Sequence, residues 1–120
     1  MGNLLFSFQI PTLDLHRACE FYSKLLDSTI KPMEFNGSGM ALLPGEGVTG
    51  RLVRHESSLP TGDGIIIYLN GADDLNQMLN LVEPAGGKVL IPKTQIAPTM
   101  GYYALFEDTE GNRIGINSIG

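Results

Sequence analysis

Apolar residues recur along this chain with two different periods, and the switches between them divide it into elements. Leu15, Ala18, Cys19, Tyr22, Leu25 and Leu26 follow the i, i+3, i+4, i+7, i+10, i+11 spacing of one apolar helical stripe. Asp14 stands just ahead, where a carboxylate can accept from the free N–H groups of a first turn. Leu75, Met78, Leu79 and Val82 repeat the start of that spacing. Asp73 or Asp74 offers a cap, and Pro84 followed by Gly86-Gly87 a stop. Elsewhere the period is two. Leu4, Phe6, Phe8 and Ile10 fall on one face of an opening strand and Leu5, Ser7 and Gln9 on the other, with Pro11 expected to end its pairing. Three short strands are predicted after the first helix, at about 29–35, 39–43 and 49–55, with Asn36-Gly37 as a hairpin turn. A further strand at 65–69 precedes the second helix, and strands at about 88–96, 101–106 and 113–117 follow it.

Each half therefore reads βαβββ. The dipeptide Asp-Leu at Asp14-Leu15 returns at Asp74-Leu75, sixty positions later in a chain of 120 residues, which is the mark of a duplication. The polar run Ser57-Ser58-Leu59-Pro60-Thr61-Gly62-Asp63-Gly64 reads as a linker between the halves. The expected fold is α+β: a single domain of two paired modules, about 1–58 and 63–120, forming a curved eight-stranded mixed sheet with helices outside. The concave face of such a sheet is the natural place for a ligand.

Composition narrows the function classes. With 42% hydrophobic and 18% charged residues the chain can bury a core. A net charge of −5 without any Lys/Arg cluster argues against nucleic acid or anionic lipid as partners. No apolar run approaches the roughly 18 residues of a membrane span. The opening Met1-Gly2-Asn3-Leu4-Leu5-Phe6 has no basic region or small-residue cleavage site, and Cys19 stands alone, so a reducing cytoplasm is the expected setting.

Two segments carry a family resemblance. Gln9-Ile10-Pro11-Thr12-Leu13-Asp14-Leu15-His16-Arg17-Ala18-Cys19-Glu20-Phe21-Tyr22 is similar to the strand, Asp-Leu, Arg-Ala, Phe-Tyr opening of the vicinal oxygen chelate superfamily. That superfamily includes glyoxalases, bleomycin-resistance proteins, fosfomycin-resistance transferases and extradiol dioxygenases. Gly101 to Ile116 resembles its closing aromatic strand, Asp-x-x-Gly-Asn turn (Asp108-Thr109-Glu110-Gly111-Asn112) and last strand. The resemblance implies four metal-ligand positions, typically His or Gln, Glu, His and Glu. Carried over, they fall at Ser7, near Arg51, at Ile65 and at Gly115. None is a metal ligand, and Arg51 would repel a divalent cation. The resemblance thus points to the family's metal-free binding branch: no metal, no other cofactor and no catalytic residue is expected.

The expected ligand-facing residues are Ser7 and Gln9 on the first strand and Arg51, Val53 and His55 on the fourth. Ile65 and Ile67 on the fifth and Gly115 and Asn117 on the eighth complete the set, with Arg113 sharing their face. Gly115 would leave empty space for a ligand group. The plain alternatives are that Ile65 and Ile67 fill a closed interior and that Arg51 is a solvated strand arginine. His16 reads as an exposed helix residue and Cys19 as an inert core thiol. Tyr102 and Tyr103 point to opposite faces of one strand, so at most one lines the groove, and the Ala97-Pro98-Thr99-Met100 loop suggests a lid. The expected partners are a small aromatic or amphipathic ligand and a second copy of the chain. The competing readings are a metal-dependent lyase, isomerase or dioxygenase with a displaced set, Gln9, His55 and Glu56, and a vestigial groove in a dimerisation module.

Overall fold

The computed structural model describes residues 4–35 and 37–120, so Met1-Gly2-Asn3 and the Asn36 half of the Asn36-Gly37 turn lie outside the described residues. The chain divides into two compact units, Met1–Pro60 and Thr61–Gly120.

The first unit carries β1 (Ser7–Pro11), α1 (Leu15–Leu25), β2 (Met33–Phe35), β3 (Ser38–Leu42) and β4 (Thr49–Arg54). Its sheet has the order β1-β4-β3-β2, with β1 and β4 parallel and the other pairs antiparallel. The second unit carries β5 (Tyr68–Asn70), α2 (Asn76–Leu79), β6 (Lys88–Ala97), β7 (Gly101–Glu107) and β8 (Arg113–Ser118). Its order, β5-β8-β7-β6, repeats the first, again with one parallel pair. The fold class is α+β, as the two periods predict.

The helix α1 forms where its stripe lies. Leu15, Ala18, Cys19, Tyr22 and Leu25 are buried, as is Phe21, and Asp14 caps the first turn by accepting from the Arg17 N–H at 3.1 Å. Its apolar side covers one face of the sheet, where Ile10, Ala41 and Leu52 are buried. On that same face Phe8 lies over its β4 partner Gly50, where a Cβ would run into the ring. In the second unit Leu75, Leu79 and Val82 bury the predicted stripe beneath Ala104, Phe106, Ile114 and Ile116. The regular helix there is only Asn76–Leu79, and i→i+3 bonds carry the chain on through Leu81 and Val82. Asp74 holds its first turn by accepting from the Asn76 N–H at 3.0 Å.

Several strand limits differ from the sequence reading for identifiable reasons. A strand needs a partner. β4 begins at Thr49, opposite Ser7, so Leu4 and Phe6 lie outside the β1–β4 pairing and stay 86% and 91% exposed. Ile65 would stand opposite Asn112, in the turn before β8 begins at Arg113, and the fifth strand starts at Tyr68 rather than at residue 65. Pro32 confines β2 to Met33–Phe35. Pro11 is the last residue of β1, opposite Val53, at the strand end expected for it.

The Asp108–Asn112 turn is locked by one buried carboxylate. Asp108 accepts from the N–H groups of Glu110 and Asn112 at 2.9 Å each and from the Asn112 side-chain amide at 3.0 Å. Gly111 closes the turn at φ +92°, where a side chain would be strained.

Candidate functional site

In each unit one sheet face carries the helix and the other carries the residues expected to meet a ligand. On β1 and β4 the second face presents Ser7, Gln9, Arg51 and Val53, as strand parity requires. Gln9, rather than Ser7, is the residue directly opposite Arg51, and its Oε1 accepts from the Arg51 guanidinium at 3.4 Å. The arginine is thereby steered across the strand pair.

His55 does not join this group. It lies just beyond β4 and lines a separate cavity of about 380 Å³ with Thr12, Ser38, Arg54 and Glu56. Its Nδ1 accepts from the Ser57 N–H at 3.1 Å and lies 2.6 Å from the Ser57 hydroxyl, so that nitrogen is occupied locally. It stands four positions along the chain from Arg51, roughly 13 Å along a strand.

The second unit repeats the two-faced arrangement. Ile114, Ile116 and Ser118 alternate with Arg113, Gly115 and Asn117. The antiparallel pairing sets Tyr103 opposite Asn117 and Leu105 opposite Gly115, and sets Tyr102 opposite Ser118. Tyr103 is therefore the tyrosine on the Gly115 face. Tyr102 lies on the helix side, where the Lys93 ammonium sits 4.7 Å from its ring centroid and 2.9 Å from an Asp74 oxygen. That ammonium, and then the Asn76 N–H, hold the Asp74 carboxyl below its ordinary pKa.

The expected empty space at Gly115 is filled. Tyr68, its β5 partner, lays its ring over the glycine, so that a Cβ there would meet Cδ2 and Cε2. Ile65 is 96% exposed and outside any strand, and Ile67 also precedes β5, although its carbonyl accepts from the Gly115 N–H at 2.9 Å. The two isoleucines thus form no strand face as the sequence reading expected.

A larger cavity, about 660 Å³, opens at the end of β5 and β8. Tyr68, Asn70 and Asn117 form one side, and Asp73, Met100 and Ile119 are among the others. The Thr99-Met100 stretch suggested as a lid contributes to its wall. Of the expected ligand-facing strand residues, Asn117 lines it. Tyr68 and Asn70 were legible in principle, since parallel pairing with Gly115 and Asn117 puts them on the same face.

A metal centre fits poorly. Among the described residues no three His, Cys, Asp or Glu side chains come together around a common point. The four positions implied by the family pattern hold a hydroxyl, a guanidinium, an alkyl chain and a glycine. The displaced set fares no better, because Gln9 faces Arg51 and stands far along the strand from His55. The Cys19 thiol is buried, and desolvation raises its pKa. Among the described residues no helix is long and apolar enough to cross a membrane.

The model of the Glyoxalase/Bleomycin resistance protein/Dioxygenase superfamily matches residues 5–116. A glyoxylase-like domain-containing protein of Didymella fabae is 31% identical over 115 residues, covering 87% of this chain and 84% of its own. Among solved structures, a family enzyme of Burkholderia phytofirmans PsJN superposes with a TM-score of 0.74 at 16% identity, covering 96% of this chain and 98% of its own. The fosfomycin resistance protein FosX of Listeria monocytogenes superposes at 0.71 with 12% identity, covering 98% and 92%. A hypothetical protein, SA1046, of S. aureus gives 0.70 at 22%, covering 98% and 94%. At these identities the solved structures speak for the fold alone.

Proposed function

The chain belongs to the glyoxalase/bleomycin resistance protein/dioxygenase superfamily, and on that premise we propose that it is a metal-independent small-molecule-binding protein. Its ligand is aromatic or amphipathic and is taken on the sheet faces turned away from the helices. The family pattern carried over from the sequence puts Ser7, Arg51, Ile65 and Gly115 at its four metal-ligand positions. One observation supports the reading: the residues paired with Arg51 and Gly115 are Gln9 and Tyr68, so neither strand pair offers a carboxylate or imidazole. Metal-dependent activity in this family needs Lewis-acid polarisation of a substrate oxygen, and a site with no donors supplies none. What remains is surface suited to holding a molecule: a steered arginine beside Gln9, and an aromatic ring beside two asparagine amides. The protein acts in the cytoplasm as a homodimer, a state that light scattering on the purified protein checks.

Elemental analysis with a melting scan tests the proposal. Purified protein should carry well under one equivalent of Zn, Ni, Mn or Fe, and none of these should raise the melting temperature. An aromatic ligand at a hundred times its Kd should stabilise by about 2.7 kcal/mol. One tightly held metal per chain, with stabilisation on re-addition, would overturn the reading.

A further inference from the structure

From the geometry of the larger cavity we infer that it is a binding site for a planar aromatic lactam, a flat ring system in which a ring C=O adjoins a ring N–H. The inference rests on the binding function proposed above and gives it a place and a ligand chemistry.

Tyr68 supplies the platform. One face of its ring lies on Gly115, and the residue remains 47% exposed, so the other face is open to a stacking partner. Because the glycine beneath has no side chain, the ring lies flat on the strand instead of standing off it. The next residues along the same face are Asn70 and Asn117, directly opposite each other in the parallel pair. Neighbouring strands run about 4.8 Å apart, which sets the spacing of the two amides.

Their backbone partners fix which way each amide points. Asn70 Oδ1 accepts from the Ala72 N–H at 2.8 Å, so that oxygen is spent and the Nδ2 group is left to donate outward. Asn117 Nδ2 donates to the Tyr102 carbonyl at 3.3 Å, so its Oδ1 is left to accept. An N–H can donate only to the amide oxygen and a carbonyl can accept only from the amide nitrogen, so neither side chain can be flipped without losing its bond. The cavity therefore offers one donor and one acceptor side by side next to an aromatic face. Their complement is an acceptor and a donor side by side on the edge of a flat ring, which a lactam has and a hydrocarbon or a carboxylate lacks.

Charge and size agree. No Lys, Arg or His among the described residues lines the cavity, and Asp73 is its one acidic side chain, so anions are disfavoured. Met100 and Ile119, 67% and 87% exposed, give apolar surface for the remainder of the ring system. A volume of about 660 Å³ is ample for two or three fused rings. Ala72, whose N–H orients Asn70, has φ +58°, an unfavourable conformation for alanine that the Asn70 bond helps to hold.

The test uses quinolin-2(1H)-one at millimolar concentration against the ¹⁵N-labelled full chain. The side-chain amide signals of Asn70 and Asn117 should shift together and saturate. The N-methyl analogue, which has lost its donor, should bind at least tenfold more weakly, and quinoline-2-carboxylate should leave both signals in place. Asn70→Asp keeps an oxygen for the Ala72 N–H and removes the outward donor; it should weaken binding at least fivefold with the Ala72 amide signal unmoved. Tyr68→Ala should abolish binding. Equal affinity for the N-methyl compound, or shifts confined to other residues, would overturn the lactam site and leave the wider binding function standing. Silence towards the quinolone and towards a fragment library in the melting scan would overturn both.

Discussion

Gly71 and Gly115 set up a paired test of what makes a glycine irreplaceable in this fold. At both positions an added Cβ meets other atoms closer than van der Waals contact allows, but the atoms differ in kind. At Gly71 they are the Asn117 carbonyl oxygen, Ile116 Cγ2 and Leu75 Cβ, all at 2.8 Å, and the glycine is buried. None can move without shifting β8 or the start of α2. The Gly71 N–H also donates to that same Asn117 carbonyl at 2.7 Å, so relieving the clash strains a hydrogen bond. Overpacking costs about 1–3 kcal/mol and a lost backbone bond about 1 more, so Gly71→Ala should destabilise by about 2–4 kcal/mol. For 120 residues, an unfolding entropy of about 2.1 cal/mol/K per residue converts this to a fall of about 8–16 °C in melting temperature. At Gly115 the obstacle is the Tyr68 ring, which can swing towards solvent. Gly115→Ala should therefore cost about 1 kcal/mol or less, some of it offset by alanine's smaller backbone entropy loss. Thermal and urea unfolding followed by circular dichroism reads both, and Tyr68→Ala should remove most of the Gly115→Ala penalty. Equal losses at the two glycines would refute the reasoning, since they would mean that the exposed ring is held as firmly as buried backbone.

Asp108→Ala leaves two backbone N–H groups and one amide without the buried carboxylate they share, and should cost at least about 3 kcal/mol by urea titration; Asp108→Asn should recover part of it. The Asp74 carboxyl, held low by the Lys93 ammonium, contributes stability that is present above the ordinary aspartate pKa of about 3.9 and is lost as pH falls through the depressed folded value. Asp74→Asn should accordingly lower the melting temperature at pH 7 and change it little well below that pH, so that the acid limb flattens. A limb unchanged by the substitution would show that other carboxylates set it.

The features legible in the sequence were those governed by neighbours along the chain. The helix α1 follows from its apolar stripe and the Asp14 cap, and β6, β7 and β8 fall within one residue of their expected limits. The errors came where a distant partner decides. The run Ile65-Ile66-Ile67 has every local preference for a strand. At Ile65 the position opposite falls at Asn112, within the Asp108–Asn112 turn and before β8 begins at Arg113. The same holds for the candidate site. Parity correctly placed Gln9, Arg51 and Val53 on one face, yet the Tyr68 ring over Gly115 depends on the register of a parallel pair, and no local pattern encodes that.

Both modules set an aromatic ring over a glycine across their parallel strands, but on opposite sides of the sheet. Phe8 covers Gly50 on the side of α1, whereas Tyr68 covers Gly115 on the side away from α2. A shift of one position in the aromatic–glycine pairing is enough to turn such a ring from one side to the other. Once a βαβββ unit exists in two copies, one can keep its ring inward for architecture while the other turns its ring outward for recognition. The two halves can then differ in task while keeping one strand order, and a search for new specificities in this chain should begin with substitutions at Tyr68 rather than at Phe8.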